Sequence, residues 1–434
     1  MNVPTELIEH KLLAAISTWH GECLAAIPKN QCNIPLMKKV HILFHDAGGG
    51  HRNAAVALQT VIAQQQRPWQ VDLVQFQELT DKLDVLRRLT GIRIQEQYNT
   101  LLQNGWTLGA TTLLRILQAT IKTFHGPMVK LLEDAWRKDP ADMLISVIPH
   151  FNREIYESWH NVCPGRPFVT IITDLADFPP HFWIEPIKDQ YVIAGTQRAV
   201  EQARAIGHDN THIFPTSGMI LRPDFYIPEN HDPVALRKEL GLKPNLTTAI
   251  VLFGGHGSKV MYEITERLDD ANLPVQLILI CGRNEQLAAK LKSRQWKMPV
   301  AVLGFTKEIH KWMRAADFLI GKPGPGSIAE AMVRKLPVLI ECNAWTLPQE
   351  RYNTVWVQEQ QVGIVLSNFK NVVDGVNQML NPTTLSKFRH NVAAQNNQAV
   401  FEIPEILDKL LGEPSRNSAR PINSQQTDPV AAAR

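Results

Sequence analysis

Glycine-rich turns place residues with catalytic or binding potential at three points of the chain. Gly48-Gly49-Gly50-His51 and Gly254-Gly255-His256-Gly257-Ser258 each follow an apolar strand pattern and precede a helical one. The third turn runs from Gly321 to Ser327, and Glu330 follows three residues later. Backbone N–H groups at the start of a helix bind anions, and the positive end of a helix favours a neutral imidazole nearby. We therefore predict a general base at His51 and a nucleotide site at the other two turns, one of which would hold phosphate and the other ribose.

Several of these polar residues have two interpretations. Ser-x-x-Glu is the pattern of a capping box, in which Ser327 and Glu330 only stabilise a helix start. In the alternative, the Glu330 carboxylate accepts hydrogen bonds from the ribose of a nucleotide. Asp174, at the end of a strand pattern, is either catalytic or an N-cap. Gln349 and Glu350 precede a helix and could bind sugar hydroxyls, although the residues alone favour capping.

Two α/β series are predicted to position the turns. The strands of the first series are Val40–Phe44, Val71–Val74, Met143–Ile148, Phe168–Ile172, Tyr191–Ala194 and Thr211–Phe214. The strands of the second series are Ala249–Phe253, Val275–Ile280, Val300–Leu303, Phe318–Ile320, Pro337–Ile340 and Gly363–Leu366. Helical patterns between the strands predict parallel sheets, whose ligands bind at the carboxyl ends of the strands. Two such halves facing each other would form a cleft, where ligand sites commonly lie.

Composition and the positions of proline and turn residues divide the chain into five parts. We expect a helical extension over 1–37, a first domain over 38–220 and a second domain over 248–411. The stretch 221–247 is rich in proline and turn residues and is the predicted linker. The polar tail 412–434 is expected to be disordered.

The overall composition excludes several classes of protein. The 434 residues are 44% hydrophobic and 20% charged with a net charge of +3, which fits a globular protein and does not indicate a nucleic-acid binder. The five cysteines form no Cys-x-x-Cys pair, so no zinc site or disulfide framework is indicated. No apolar run reaches the roughly 18 residues of a membrane span, and Glu6 and Glu9 occupy the place of a signal peptide. We expect a cytoplasmic protein.

Five motifs in order carry a resemblance to a known family. They are Gly48-Gly49-Gly50-His51-Arg52, Thr173-Asp174-Leu175, Gly304-Phe305, the run from Lys322 to Ala331, and Gln349-Glu350-x-x-Asn353. From about Val40 to Gly363 the chain resembles the GT-B glycosyltransferases that make glycolipids. These are the monogalactosyldiacylglycerol synthases and the processive diacylglycerol glucosyltransferases. It is more distantly similar to the lipid II N-acetylglucosaminyltransferase.

The resemblance implies a fold and an activity. The fold is GT-B, with two Rossmann-like domains whose parallel sheets face a central cleft. The activity is inverting transfer of a hexose from a UDP-sugar to a membrane lipid, with diacylglycerol as the expected acceptor, and without a metal or other cofactor. The place of the family's histidine after Thr-Asp is taken here by Pro180, with His181 next to it, when the chain is aligned on Trp183. A non-lipid acceptor therefore stays open.

The resemblance also implies residue roles. Phe305 would lie beside the uracil, Glu330 would bind the ribose, and the turns at 254–258 and 324–327 would hold the diphosphate. Gln349 and Glu350 would read the hexose, while His51 and Asp174 would face the acceptor as the catalytic residues. The predicted substrate-binding residues are Gly49, Gly50, Gly255, Gly257, Ser258, Phe305, Gly324, Gly326, Ser327, Glu330, Gln349, Glu350 and Asn353.

A basic amphipathic segment covers residues 82–132. It has seven basic against two acidic residues, a net charge of +5, and apolar residues at steps of three and four. Alone, the pattern is that of a core helix with a solvated basic face; in this family's setting it indicates a membrane-surface element. Its predicted membrane contacts are Arg87, Arg88, Arg93 and Trp106, on an anionic membrane at the inner face of the cell.

Two other functions remain as alternatives at this stage. A UDP-sugar epimerase or hydrolase can share the fold but would not need the basic segment. A non-catalytic UDP-sugar-binding protein would not need His51 and Asp174.

Overall fold

The computed structural model describes residues 37–46, 49–80, 121, 123–228 and 231–412. The described residues from Lys38 onward belong to one compact unit. The predicted extension, Arg87, Arg88, Arg93 and Trp106 of the basic segment, and the tail beyond residue 412 lie outside the described residues. Among the helices that are described, none combines the length and apolar character needed to cross a bilayer.

The first sheet has six parallel strands in the order β2-β1-β3-β4-β5-β6. Its strands are β1 (Lys38–Phe44), β2 (Trp69–Gln75), β3 (Met143–Ser146), β4 (Phe168–Ile171), β5 (Gln190–Ala194) and β6 (Ile213–Pro215). The helices around it are α1 (Gly50–Gln64), α2 (Phe76–Thr80), α3 (His125–Lys138), α4 (Asn152–Val162) and α5 (Gln197–Ile206). In β1 the apolar residues Val40, Ile42, Leu43 and Phe44 are all buried, as expected of a strand covered on both faces.

The second sheet is also parallel, in the order β12-β11-β10-β7-β8-β9. Its strands are β7 (Thr247–Leu252), β8 (Val275–Ile280), β9 (Val300–Leu303), β10 (Phe318–Gly321), β11 (Val338–Glu341) and β12 (Gly363–Leu366). The accompanying helices are α6 (Pro233–Glu239), α7 (Val260–Asp270), α8 (Glu285–Ser293), α9 (Ile309–Arg314), α10 (Pro325–Val333), α11 (Arg351–Glu359), α12 (Val372–Leu380), α13 (Pro382–Ala394) and α14 (Ala399–Gly412). Each predicted strand has a counterpart, although the one predicted over Thr211–Phe214 begins only at Ile213 because Asn210–His212 form a 3-10 helix. The predicted α/β fold with two parallel sheets is confirmed.

Strand order places the glycine turns where ligands bind in such sheets. The order reverses direction between β1 and β3 in the first sheet and between β7 and β10 in the second. Loops that leave strands on either side of such a switch point separate and open a crevice. The turns after β1, β7 and β10 are those that contain Gly49, residues 254–258 and residues 321–324. The topology therefore puts all three turns at the two crevices.

Two segments, the predicted linker and the last helix, pack differently from the domain prediction. In the predicted linker, Phe225, Leu236 and Leu242 are buried in the core of the second sheet. The last helix, α14, was expected within the second domain, but Ile403 and Leu407 are buried in the core of the first sheet. The chain therefore returns to the first sheet at its last helix. Contacts between segments so distant in sequence do not affect local periodicity, so the sequence pattern could not predict this packing.

Candidate active site

A glycine at the start of α1 positions His51. Gly49 has a left-handed φ of +80° and is the N-cap, and His51 is the second residue of the helix. Nδ1 of His51 lies 3.2 Å from Oγ1 of Thr173, and the ring centroid lies 5.7 Å from that of Trp183. Burial lowers the pKa of His51 to about 4, although a hydrogen bond with the backbone of Val147 opposes this. The imidazole is therefore neutral near pH 7, as the sequence predicts, with burial as the main cause.

Asp174 lies near the start of the loop that follows β4, three residues beyond Ile171. It is 7% exposed, and its Oδ2 accepts a hydrogen bond of 2.8 Å from Nε1 of Trp183. Burial raises the pKa of Asp174 to about 7, and this indole hydrogen bond opposes the rise. A carboxylate whose pKa lies near neutrality is suited to accept a proton. Asp174 does not bond to His51; Trp183 touches both.

Trp183 is itself held by a second buried carboxylate. Asp177 accepts backbone hydrogen bonds from His181, Phe182 and Trp183, at 3.0, 2.9 and 2.6 Å. These bonds fix the turn in which His181 adopts a φ of +62°. The departure from the family pattern at Pro180 and His181 thus sits in a turn that positions Trp183. Sequence reasoning used Trp183 only as an alignment point.

The turn after β7 is shaped for close backbone packing. Gly257 has a φ of +60°, and a Cβ at this position would lie 2.8 Å from the carbonyl oxygen of Cys281. Ser258 accepts a hydrogen bond of 3.3 Å from the backbone N–H of Val260, where α7 begins. A Cβ on Gly255 would meet nothing within 4 Å, so its Cα faces open space. The turn leaves room for a ligand beside the N-terminus of α7.

The turn after β10 corrects one prediction. Helix α10 begins at Pro325 with Gly324 as its N-cap, so Ser327 lies inside the first turn and is not the cap. Proline suits the first helical position because its φ is already helical and it has no N–H to leave unpaired. The capping-box interpretation of Ser327 and Glu330 is therefore wrong. Gly326 is exposed in this first turn.

Glu330 is largely covered by its surroundings. Burial raises the pKa of this carboxyl to about 7, and the charge of Arg222 opposes the rise. Burying a carboxylate is unfavourable for folding, and Glu330 has no capping role that would explain it. Strongly shifted pKa values of this kind are common at functional sites.

Glu350 does not cap α11 either. It stands at the N-cap position without a side-chain cap bond. Its Oε1 instead lies 2.8 Å from Nζ of Lys322. Gln349 lies beside it in the single 3-10 turn Pro348–Glu350. The capping interpretation of Glu350 is wrong, and Lys322 is a site residue that sequence reasoning passed over.

Asn353 lies below the glycine turn rather than on its surface. Its side chain is 0% exposed, and its Nδ2 donates a hydrogen bond of 2.7 Å to the carbonyl of Pro323. The amide therefore fixes the backbone between Lys322 and Gly324. In this structure Asn353 supports the turn, instead of reaching the ligand space that the prediction gave it.

Phe305 is a predicted ligand contact with an exposed side chain. It is 57% exposed, and the guanidinium of Arg283 lies 5.1 Å from its ring centroid. The backbone N–H of Arg283 donates to the carbonyl of Gly255 at 2.9 Å. This places an aromatic–cationic surface next to the turn after β7, suited to stack on a planar base.

Residues from both domains meet at Asp174. Its pKa is raised by the charge of Glu350 and lowered by that of Lys322. The neighbouring Leu175 packs in one cluster with Ala329 of α10. The structure therefore brings together Asp174, Lys322, Glu350 and the turn at Gly324, with His51 joined through Trp183.

Two further histidines lie on the first-domain side. Burial lowers the pKa of His45 to about 3 and that of His150 to about 4. His150 has a φ of +72°, unusual for a residue with a Cβ. The signal that could have found them is their position directly after the β1 and β3 patterns.

Within the described part of the chain, one group of side chains has the spacing of a metal site. Ligand atoms of His41, Asp72 and Asp139 lie within 4.8 Å of one another. The ammonium of Lys39 lies against both carboxylates, 3.4 Å from Asp72. The group is where β1, β2 and the end of α3 meet, and not at the glycine turns.

Comparisons with known proteins agree with this geometry. Residues 249–409 match the glycosyltransferase family 28 C-terminal domain. The monogalactosyldiacylglycerol synthase of Spinacia oleracea, a chloroplast protein, is 31% identical over 406 residues, or 89% of this chain and 75% of that protein. A probable monogalactosyldiacylglycerol synthase 2 of Oryza sativa subsp. japonica is 28% identical over 408 residues, covering 87% and 82%.

Solved structures agree at the level of the fold. MurG of Acinetobacter baumannii superposes with a TM-score of 0.55 at 13% identity, over 86% of this chain and 99% of that one. MnaA of S. aureus, solved with UDP, gives a TM-score of 0.54 at 14% identity, over 87% and 99%. Taken with the sequence relatives, these findings mean that the chain belongs to the monogalactosyldiacylglycerol synthase family and is a glycosyltransferase of the GT-B fold.

Proposed function

We propose that this glycosyltransferase moves a hexose from a UDP-sugar to diacylglycerol, with inversion at the anomeric carbon. The observation that carries the proposal is the meeting of Asp174 with Lys322 and Glu350. This carboxyl of the first domain has a pKa of about 7, which responds to the charges of a pair that lies beside Gly324 in the second domain. The choice of diacylglycerol as the acceptor and of a hexose as the transferred group is based on the names of the relatives.

The donor occupies the second domain in this proposal. Uracil stacks on Phe305 beside Arg283, and the ribose hydroxyls bond to Glu330. The diphosphate lies between the N-termini of α7 and α10, whose N–H groups and helix dipoles favour its negative charge. The hexose then extends toward Gln349 and Glu350.

The transfer is a single displacement. The oxygen of the acceptor hydroxyl forms a bond to the anomeric carbon while the bond from that carbon to the diphosphate oxygen breaks. UDP leaves with the electron pair, and the helix N-termini stabilise the charge that develops on it. Because the attack comes from the face opposite the leaving group, the configuration inverts. No metal or cofactor takes part in the proposed reaction.

Asp174 is the proposed base, and His51 is a neutral positioning group. Nδ1 of His51 is engaged by Thr173, and the ring also bonds with the backbone of Val147. The pKa of Asp174 responds to the charges of Glu350 and Lys322, which belong to the proposed donor site. A base with a pKa of about 7 is half ionised at neutral pH, whereas one with a pKa of about 4 is a weak proton acceptor.

The acceptor lipid requires the enzyme to work at a membrane surface. We propose peripheral binding on the cytoplasmic face through the basic segment 82–132, whose net charge of +5 suits anionic lipids. The protein would then take diacylglycerol from the bilayer and the donor from solution.

Labelled donors test the proposed function. The purified enzyme is incubated with a lipid extract and labelled UDP-glucose, UDP-galactose or UDP-N-acetylglucosamine, and the lipid phase is separated by chromatography. We expect label in a neutral glycolipid with at least one donor. Label confined to the aqueous phase, as an altered or hydrolysed sugar nucleotide, would favour the epimerase or hydrolase alternative.

A further inference from the structure

The ion pair between Lys322 and Glu350 lies directly over a glycine turn of the donor domain. A Cβ built on Gly324 would be 3.3 Å from Cε of Lys322 and 3.7 Å from Oε1 of Glu350. A Cβ on Gly254, in the other glycine turn, would be 3.8 Å from the same Cε. The lysine side chain therefore crosses the space between the two helix starts.

The two partners differ in their access to solvent. The side chain of Glu350 is 9% exposed, whereas that of Lys322 is 39% exposed. The charge of Glu350 raises the pKa of the 7% exposed Asp174, and the charge of Lys322 opposes this rise. Leaving a buried carboxylate without a partner is strongly unfavourable, so the ammonium cannot leave Glu350 unless another donor replaces it.

A bound donor supplies both groups that such an exchange needs. A diphosphate attracts a lysine ammonium, which has three N–H donors on a flexible stem and can turn toward it. A hexose carries hydroxyls that donate hydrogen bonds to a carboxylate. The diphosphate can thus take Lys322 while the sugar satisfies Glu350.

From this geometry we infer that the Lys322–Glu350 ion pair is an exchange latch for the donor: the diphosphate draws Lys322 away, and the hexose hydroxyls replace it at Glu350. This inference rests on the proposed use of a UDP-sugar. It assigns Lys322 to the diphosphate and makes the sugar part of the donor necessary for full affinity. UDP without a sugar leaves Glu350 short of a partner and binds less tightly than its contacts alone would allow.

Calorimetry with uridine, UDP and UDP-hexoses tests the latch. Lys322→Gln should weaken UDP binding by at least about tenfold, the effect of losing one charge-assisted hydrogen bond, and leave uridine binding unchanged. Glu350→Gln should tighten UDP binding, by about threefold or more, because the ammonium is no longer held. The same variant should lose the extra affinity that the hexose gives over UDP.

A matched ion pair provides the control. Lys311 lies 2.9 Å from Glu239 in the same domain, so Lys311→Gln removes a similar pair away from the glycine turns. Its binding of all three ligands should equal that of the wild type. Circular dichroism checks each variant, and Glu350→Gln decides the question by itself if Lys322→Gln fails to fold.

Three outcomes would overturn the inference. An unchanged ratio of UDP to uridine affinity in Lys322→Gln would remove the lysine from the diphosphate site. Weaker UDP binding in Glu350→Gln would make the pair a structural support for the turn. Failure of the wild type to bind UDP at all would reject the proposed function, and the latch with it.

Discussion

We predict that Glu330 lowers the stability of the fold when it is ionised, although its carboxylate is needed to bind the donor. The loss of stability should therefore depend on pH. The pKa of Glu330 rises from the ordinary 4.5 to about 7, mainly through burial. Folding therefore binds a proton more tightly at this carboxyl. The stability linked to that proton is fully present below pH 4.5 and is lost as the pH rises through about 7. Glu330→Gln removes the titration and with it the loss.

The magnitude follows from the two pKa values. At about 1.4 kcal/mol for each pH unit between them, ionised Glu330 destabilises the fold by at most about 3 kcal/mol. Linkage gives about 1 kcal/mol at pH 5.5 and about 3 kcal/mol at pH 8.5. The stability of Glu330→Gln relative to the wild type should therefore increase by up to about 2 kcal/mol between these pH values.

Urea denaturation without ligand at both pH values measures this difference. Glu285→Gln, which changes an exposed glutamate on α8, serves as the control and should show no such pH dependence. In parallel, Glu330→Gln should bind UDP about 10- to 150-fold more weakly, because a carboxylate that accepts ribose hydroxyls is lost. A stability difference that does not change with pH, or an unchanged UDP affinity, would refute this reasoning for Glu330.

Three further predictions address catalysis and location. Asp174→Asn should reduce turnover by about 10²–10⁴-fold with UDP binding retained, while His51→Ala keeps more activity; the reverse order would make His51 the base. In the wild type, kcat/KM should fall as the pH drops below about 7, the pKa of Asp174, and a profile that stays flat down to about pH 4 would point to His51 instead. Treatment with EDTA should leave transfer unchanged, and a loss restored by a divalent cation would contradict the metal-free proposal. Changing Arg87, Arg88 and Arg93 together to Gln should reduce sedimentation with phosphatidylglycerol vesicles but not UDP affinity; unaltered sedimentation would place membrane binding elsewhere.

The sheets could be predicted from the sequence because their strands are buried on both faces. Runs such as Leu277-Ile278-Leu279-Ile280 are continuous in apolar character, end at glycine turns and alternate with helical patterns. The same pattern places His51 and the turns at 254–258 and 321–327 at the carboxyl edges. The observed strand orders give each sheet one point at which the order reverses, and a ligand crevice is expected at each of these points.

Side-chain partners could not be predicted in the same way. The pair Lys322–Glu350 joins residues 28 positions apart, and the bond from Trp183 to Asp174 depends on a turn fixed by Asp177. Ser327 has the residue type of an N-cap, yet Pro325 starts the helix two residues earlier. The local preferences of a residue type indicate its possible roles, but contacts between segments distant in sequence determine which role it has.

The most direct test of the proposed reaction follows both products in a defined system. The enzyme is mixed with UDP-glucose or UDP-galactose and vesicles that do or do not contain diacylglycerol, and UDP release and the glycolipid are measured together. We expect UDP release only with diacylglycerol, in equal amount to a hexosyl lipid whose anomeric configuration, determined by NMR, is opposite to that of the donor. UDP release that is independent of diacylglycerol, or a product that retains the donor's configuration, would contradict the account.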